Sequence, residues 1–365
     1  MRARGFSLVE FMIAITIGLF LVGGLVYLIA ETSRSRAEIE RSSRQIENGR
    51  FALDRIAEDL RHAGYYGEYF SVPAAGQAGF PASLTAADGC ATTIAALTTG
   101  MPLAIQAYDG GASLPSDLTG AGCSAAGLVA ANYLPGTDIL VVRRASTTTI
   151  AKAAASPPRF LNQPYIQTNS LEHKLDLGSN LATFTLTFPS INNTSTTDAP
   201  LHRYMVRIYF VARCNVPASG STCNGTTDDG GTSVPTLKLL ELGVDPVEEA
   251  AGTASATGPQ FNMRSVAEGI EHLQFDFGID DTGDGVADRI VMCDSTTPCS
   301  ATDFSNAVTV QVHIVARNTE ISPSYADDKT YSLGLKGYTT ATNDKYRRHA
   351  YTSQVRLNNI AMRRE

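Results

Sequence analysis

Three groups of residues in this sequence have the types and spacings to do chemistry. The first is a single carboxylate, Glu10, at the near edge of an uncharged run from Phe11 to Ala30. An unpaired carboxylate in lipid costs on the order of a few kcal/mol, so Glu10 reads as functional rather than incidental. The bland alternative is a side chain that snorkels to the interface. The second group is the run Asp280-Asp281-Thr282-Gly283-Asp284-Gly285-Val286-Ala287-Asp288. Calcium loops need several hard oxygens on a tight turn, with glycine at the sixth position. Asp280, Thr282, Asp284 and Asp288 supply side-chain oxygens at suitable offsets, and Val286 supplies a carbonyl. The twelfth position is Met292, so the bidentate Glu of an EF-hand is missing. A Gly/Asp β-turn between strands explains the same residues and is the favoured reading, with calcium kept as the second.

The third group is the six cysteines, Cys90, Cys123, Cys214, Cys223, Cys293 and Cys299. They sit in Gly-, Ser-, Thr- and Asp-rich stretches without CxxC spacing, which argues against zinc. Six cysteines allow 15 pairings, and sequence alone does not choose among them. Sequence neighbours are favoured: Cys90 with Cys123, Cys214 with Cys223, Cys293 with Cys299. Closing a loop of roughly ten residues is worth about 2.5–3 kcal/mol in the chain-entropy model. The competing reading is six buried free thiols in a cytosolic protein.

No nucleophile motif, phosphate loop or metal-ligand spacing of histidines is present. His62, His173, His202, His272, His313 and His349 are scattered, and each is read as a surface or satisfied strand residue. The expectation is a protein that is not an enzyme and needs no resident cofactor. A net charge of −7, with Lys and Arg spread along the chain, gives no electrostatic footprint for nucleic acid. With 43% hydrophobic and 18% charged residues over 365 positions, the chain is long and apolar enough for a globular body.

The elements that must position these residues begin with the apolar run. Twenty helical residues span about 30 Å, the thickness of a bilayer core. Arg2 and Arg4 precede it, which places the N-terminus in the cytoplasm and the remainder across the membrane, where disulfides persist. No small-residue cleavage site follows Ala30, as an ordinary secretory signal requires. From Glu31 to about Gly64 the pattern becomes amphipathic. Ile39, Ile46, Leu53 and Leu60 recur every seven residues, and Ile56 and Ala63 extend the stripe, which predicts one buried face. Gly64 is the expected C-cap. The remainder, 65–365, reads as strands between long loops. Strands are predicted at 138–144, 182–188, 204–212, 237–242, 271–279, 307–316 and 351–357. The stretches 73–131, 190–200, 217–235 and 250–259 read as loops. The fold class is α+β: a long N-terminal helix packed on an antiparallel sheet with long inserted loops.

Gly5-Phe6-Ser7-Leu8-Val9-Glu10, behind a short basic leader and ahead of the apolar run, resembles the processing motif of type IV prepilins. The resemblance implies that a prepilin peptidase cuts between Gly5 and Phe6 and N-methylates Phe6. Residues 1–5 are then a leader, 6–30 a transmembrane assembly helix, 31–64 its amphipathic continuation and 65–365 an extracytoplasmic domain. It further implies that Glu10 pairs with the new α-amino group of a neighbouring subunit, because a carboxylate among packed helices is tolerated only opposite a positive charge. Many major pilins carry a helix-kinking proline in this segment. This chain has Gly18, Gly23 and Gly24 instead, which is compatible with a minor subunit. Arg61-His-Ala-Gly-Tyr-Tyr-Gly67, Val266-Ala-Glu-Gly-Ile-Glu-His-Leu-Gln-Phe275 and Thr352-Ser-Gln-Val-Arg-Leu-Asn-Asn359 are similar to text in PilW-type minor pilins. That resemblance implies a minor pilin that helps to initiate pilus assembly, in a priming or tip complex. Its partners would be other minor pilins, the major pilin, prepilin peptidase and the inner-membrane assembly machinery. Three rival readings are the J-type minor pseudopilin of type II secretion, a pilus-borne adhesin and a membrane-anchored enzyme.

Overall fold

The computed structural model describes residues 7–69, 87–152, 160–189, 196–243, 258–294, 298–323, 325–340 and 344–362. Gly5 and Phe6 lie outside the described residues. So do residues 70–86, 190–195 and 244–257.

One helix, α1 (Leu8–His62), runs through 55 residues, about 80 Å at the standard rise. Ser7 starts it with a capping box. Its Oγ accepts from the Glu10 amide at 3.3 Å, and Glu10 Oε2 accepts from the Ser7 amide at 2.9 Å. These bonds occupy two of the amides that a helix start leaves without partners. The helix stops two residues before Gly64, whose φ of 71° is a backbone state that a helix cannot continue. Gly18, Gly23 and Gly24 do not interrupt it, and a Cβ at any of the three would meet nothing within 4 Å.

The strands are β1 (Ile105–Tyr108), β2 (Ile139–Ile150), β3 (Pro164–Thr168), β4 (His173–Leu177), β5 (Thr187–Pro189), β6 (Thr196–Asp198), β7 (Leu201–Ala212) and β8 (Thr236–Gly243). They continue with β9 (Gln260–Glu268), β10 (Ile270–Ile279), β11 (Arg289–Met292), β12 (Ala307–Arg317), β13 (Thr330–Leu333), β14 (Lys336–Thr339) and β15 (Arg348–Arg356). A seven-stranded sheet orders as β1-β2-β7-β3-β4, with β8 also on β7 and β9 on β8; a four-stranded sheet orders as β11-β10-β12-β15. The strand pairings in both are antiparallel. The chain passes from one sheet to the other at Gly269, between β9 and β10. A φ of 75° there, with the Arg317 amide on its carbonyl at 2.7 Å, makes the corner.

The main core lies where α1 meets both sheets. Ala52, Ile56, Ala57 and Leu60 of the helix pack with Leu140, Val142, Tyr209 and Leu239 from the large sheet. Leu273, Phe275, Val312 and Ile314 close the core from the small one. A second core forms on the opposite face of the large sheet. There Ile139, Val141, Val206, Ile208 and Phe210 are covered by Tyr66, Leu97, Met101, Leu118 and Leu128. Both faces of β2 over Ile139–Ala145, and nearly all of β7, are therefore buried, which is why their apolar residues run together there instead of alternating.

Four expectations need correction. The expected stripe marks the buried face only at its upper end: Ile56, Leu60 and Ala63 are buried and Leu53 packs on the core, but Ile39 is 66% and Ile46 41% exposed, and the stripe misses Gln45, Gly49, Ala52 and Asp59, which are buried. The strand expected at 182–188 is mostly a single turn, Leu181–Thr183, with only its end in β5. Among the described residues the body holds two large sheets and two two-stranded ones, β5-β6 and β13-β14, where one sheet was expected. The described part of the 73–131 stretch carries β1 and two short helices, Ile94–Gly100 and Ala121–Ala125, which roof the large sheet.

Candidate functional site

The functional element is α1, and its two halves are held in different ways. Along Leu8–Ile29 the large apolar side chains, from Leu8 and Phe11 to Leu28 and Ile29, show more than half their surface. An 18-residue window of this half reaches a mean hydropathy of 2.5 and is 0% buried, long and apolar enough to cross a membrane. Glu10 is exposed, and its described partner is its own cap, Ser7. That internal bond partly satisfies a carboxylate facing lipid and leaves its other oxygen open to a neighbouring chain.

The second half is clamped to the body at three levels. Lowest, Arg41 pairs with Glu320 at 2.6 Å, and Glu38 meets both Arg347 and the Ser322 hydroxyl. One turn on, buried Gln45 donates to the carbonyls of Ala316 (2.6 Å) and Arg347 (3.0 Å), closing the end of the β12–β15 ladder onto the helix. Gly49 follows, where the ring of Tyr351 occupies the space that a Cβ would need.

The third level is the deepest. Asp59 is 0% exposed. Its Oδ1 accepts from Arg144 at 3.0 Å and from Arg207 at 2.5 Å, and its Oδ2 accepts from the Tyr209 hydroxyl. Arg207 also reaches Glu241 at 2.8 Å. Burial alone would lower the pKa of Arg207, but Asp59 and Glu241 outweigh it and hold the value above the ordinary one. Burial, and then the Asp59 charge, push the Tyr209 hydroxyl well up. The cluster joins α1 to β2, β7 and β8, so the helix cannot leave the large sheet without stranding buried charge. The expected stripe missed it. The available signal was charge in the wrong place: Asp59 beside Leu60, and Arg144 and Arg207 inside otherwise apolar strands.

Asp138, at the mouth of β2, ties the two sheets together. It accepts from the amides of Gly110 (3.0 Å) and Phe275 (3.0 Å), and its own amide donates to Leu273. Burial dominates these amide bonds and lifts its carboxyl to about 7.

In the 280–288 loop, buried Asp280 accepts from the Gly283 amide at 2.5 Å and the Gly285 amide at 2.9 Å. Asp288 accepts from the amides of Asp281 and Thr282, and Asp284 from that of Val286. Gly283 and Gly285 both hold positive φ. The carboxylates thus close the turn on its own backbone, joining β10 to β11, and Arg289 ties the rim to Asp281 and Asp303. The turn reading accounts for each of these contacts. Among the described residues, the one group of metal-type side chains gathered within 4.8 Å is Cys214, Cys223 and Asp228. Its two sulfurs are joined to each other and are not thiolates.

The disulfides join Cys90 to Cys123, Cys214 to Cys223 and Cys293 to Cys299. The histidines do not converge. His313 bridges Asp276 (3.2 Å) and the Thr352 hydroxyl (3.0 Å), and His202 meets the Ser146 carbonyl. His62 lies on the Glu58 carbonyl, His349 meets the Tyr351 ring edge-on and His173 lies tilted against Tyr69. Burial, and then Lys336, lower His272 to about 4.

Residues 226–359 match the family model described as Type IV Pilus-assembly protein W, and residues 1–26 match the Prokaryotic N-terminal methylation motif. No curated protein and no solved structure matched the chain. The first match begins before β8 and ends three residues past β15, so it takes in the whole four-stranded sheet. The second takes in residues 1–5, Glu10 and most of the exposed apolar helix.

Proposed function

On the premise that this is a PilW-type minor pilin of type IV pili, anchored in the inner membrane by α1 and incorporated into the pilus, we propose that it helps to initiate pilus assembly in a priming complex with other minor pilins. In this reading prepilin peptidase removes residues 1–5, and Phe6 becomes the methylated terminus. The body, residues 65–365, folds outside the cytoplasm, where its disulfides are stable. The apolar half of α1 then moves from lipid into a bundle of like helices.

The observation that carries the proposal is Glu10 on a helix whose N-terminal half touches nothing of its own body. Exposed apolar surface of that extent must be covered by lipid or by other helices. Among packed helices Glu10 needs a cation at its own depth, and the freed α-amino group of an adjacent subunit lies one helical turn from the carboxylate position. Glu10 thereby selects one axial stagger between neighbours.

Sheared filaments, fractionated and analysed by N-terminal sequencing and mass spectrometry, test the proposal. The expected subunit begins at methylated Phe6 and is far scarcer than the major pilin. Deleting the gene is expected to abolish surface filaments. Filaments of normal number that fail only in attachment would replace the assembly reading with the adhesin reading. A subunit that still carries Met1–Gly5 would remove the assembly mechanism altogether.

A further inference from the structure

Lys238 of β8 is 4% exposed, and among the described residues it forms no ion pair. Its Nζ donates instead to three neutral oxygens. These are the Asn215 carbonyl at 2.7 Å, the Ser265 hydroxyl at 2.7 Å and Asn215 Oδ1 at 3.1 Å. A buried ammonium without a charged partner in contact is costly. Burial lowers the pKa of Lys238 against the opposing charges of Asp229 and Glu268, which favours the neutral amine. A neutral amine has two hydrogens and one lone pair. The two short contacts take the hydrogens, and the lone pair is left facing the side-chain amide of Asn215.

That amide is held at both ends. Its Oδ1 accepts from the Ser265 hydroxyl at 2.7 Å, and its Nδ2 donates to Glu268 Oε1 at 2.6 Å. A carboxylate only accepts, so Glu268 fixes which end of the amide carries nitrogen. The Asp229 carboxylate accepts from the main-chain amides of Asn215 (3.1 Å) and Val216 (2.6 Å), and the Cys214–Cys223 disulfide pins the preceding residue. Ser265 stands opposite Lys238 in the β8–β9 ladder, and Glu268 stands opposite Thr236. Two paired strands thus bring an amine, a hydroxyl and a carboxyl group around one amide. These are the parts of an acyl transfer. Lys238 Nζ is the nucleophile, and Asn215 Cγ, one bond from Oδ1, is the carbon attacked. The Ser265 hydroxyl supports the oxygen on which charge develops, and Glu268 stands beside the nitrogen that leaves.

We propose that Lys238 and Asn215 join in an intramolecular isopeptide bond. The bond from Nζ to Cγ forms and the bond from Cγ to Nδ2 breaks. Glu268 takes a proton from Nζ and delivers it to Nδ2, which departs as ammonia. No oxidant, reductant or co-reactant is consumed. Holding the groups in contact supplies the effective concentration that an unactivated amide needs. Asn215 and Glu268 also line a surface hollow through which ammonia can leave. The bond ties β8 to the segment after β7, beside the Cys214–Cys223 disulfide, and unlike that disulfide it survives reduction. It needs no partner and does not depend on the role of the chain in pilus assembly.

Trypsin cuts after Arg213, Lys238 and Arg264 and has no site between them. The test digests the full chain, purified in detergent, reduced and alkylated, and reads the peptides by mass spectrometry. An unlinked chain yields peptides 214–238 and 239–264. A linked chain yields 214–264 in one piece, uncut at Lys238 and lighter by one ammonia, with fragment ions placing the loss across Asn215 and Lys238. That peptide is the expected main product. Lys238→Arg is expected to abolish the loss of ammonia. Glu268→Gln keeps an oxygen for Asn215 Nδ2 but cannot carry the proton, so the linked fraction shortly after synthesis is expected to fall by about tenfold or more. Should Lys238→Arg fail to fold, Glu268→Gln decides by itself, because residue 268 is exposed. Peptides 214–238 and 239–264 at unaltered mass from the unsubstituted chain overturn the proposal. So does an ammonia loss confined to Asn224-Gly225, or a linked fraction that Glu268→Gln leaves unchanged.

Discussion

The two halves of α1 are one continuous rod with opposite relations to their surroundings. The apolar half, Leu8 to Ala30, is bare; the half that carries nearly all the charge is partly sunk into the body. Hydrophobicity therefore does not report burial within this chain. It reports the eventual solvent, which is lipid and then other helices for the first half and the protein's own two sheets for the second. What locks the second half is a small number of polar contacts placed inside apolar packing.

That contrast can be broken from either side. Glu10→Ala is expected to leave leader cleavage and the unfolding midpoint of the body unchanged while lowering filament incorporation by about tenfold or more. This corresponds to loss of an ion pair among packed helices. Quantitative immunoblots of sheared pili against membranes measure it, and equal incorporation would end the stagger role. Asp59→Ala is expected to do the reverse. It strands the charges of Arg144 and Arg207 in the core, so denaturant unfolding of the full chain in detergent should show a loss of about 3–5 kcal/mol, with α1 first to detach by hydrogen exchange.

Smaller effects sharpen the picture. Burial lifts Asp138 from 3.8 to about 7, so the folded chain keeps a proton that the unfolded chain has released between those values. The contribution of this group is thus fullest below about pH 4 and declines as pH rises to about 7. Asp138→Asn should flatten that part of the stability–pH curve, and an unaltered slope would contradict the assignment. Gly49→Ala forces the Tyr351 ring to move and is expected to cost about 1–3 kcal/mol. Ile39→Ser is expected to change stability by less than about 0.5 kcal/mol, as exposed positions do. A larger loss would mean that the stripe touches the body as low on the helix as Ile39.

That stripe shows what was legible in the sequence and why the rest was not. The long helix, its break at Gly64 and the apolar strands β2, β7, β8, β10 and β12 carry local signals strong enough to read. The buried face of the helix carries such a signal only from Leu53 to Ala63. A seven-residue spacing slips by about 20° per repeat on a straight α-helix, so Leu60 points into the core while Ile39, three repeats earlier, has rotated out of it. β3, β4 and β9 were missed because they are short or lie at sheet edges with mixed polarity. The division into two sheets turns on one glycine corner, Gly269, which no periodicity announces. Glu10 was legible because a lone charge in an apolar run is conspicuous. Asp59 was hidden among thirteen other charged positions of the same helix half, where nothing local marks the one that is buried.

The staggered attachment of α1 also sets how the molecule carries tension. A pull along the rod, as when a subunit is drawn out of the bilayer, acts in shear on the contacts at Glu38 and Arg41, then Gln45, then Asp59. The outermost are solvent-exposed pairs that re-form readily after slipping. The innermost is dry and holds its arginines from two separate strands, so load reaching it is spread across the large sheet rather than borne by one strand end. The rod is fastened most firmly at the end farthest from the membrane.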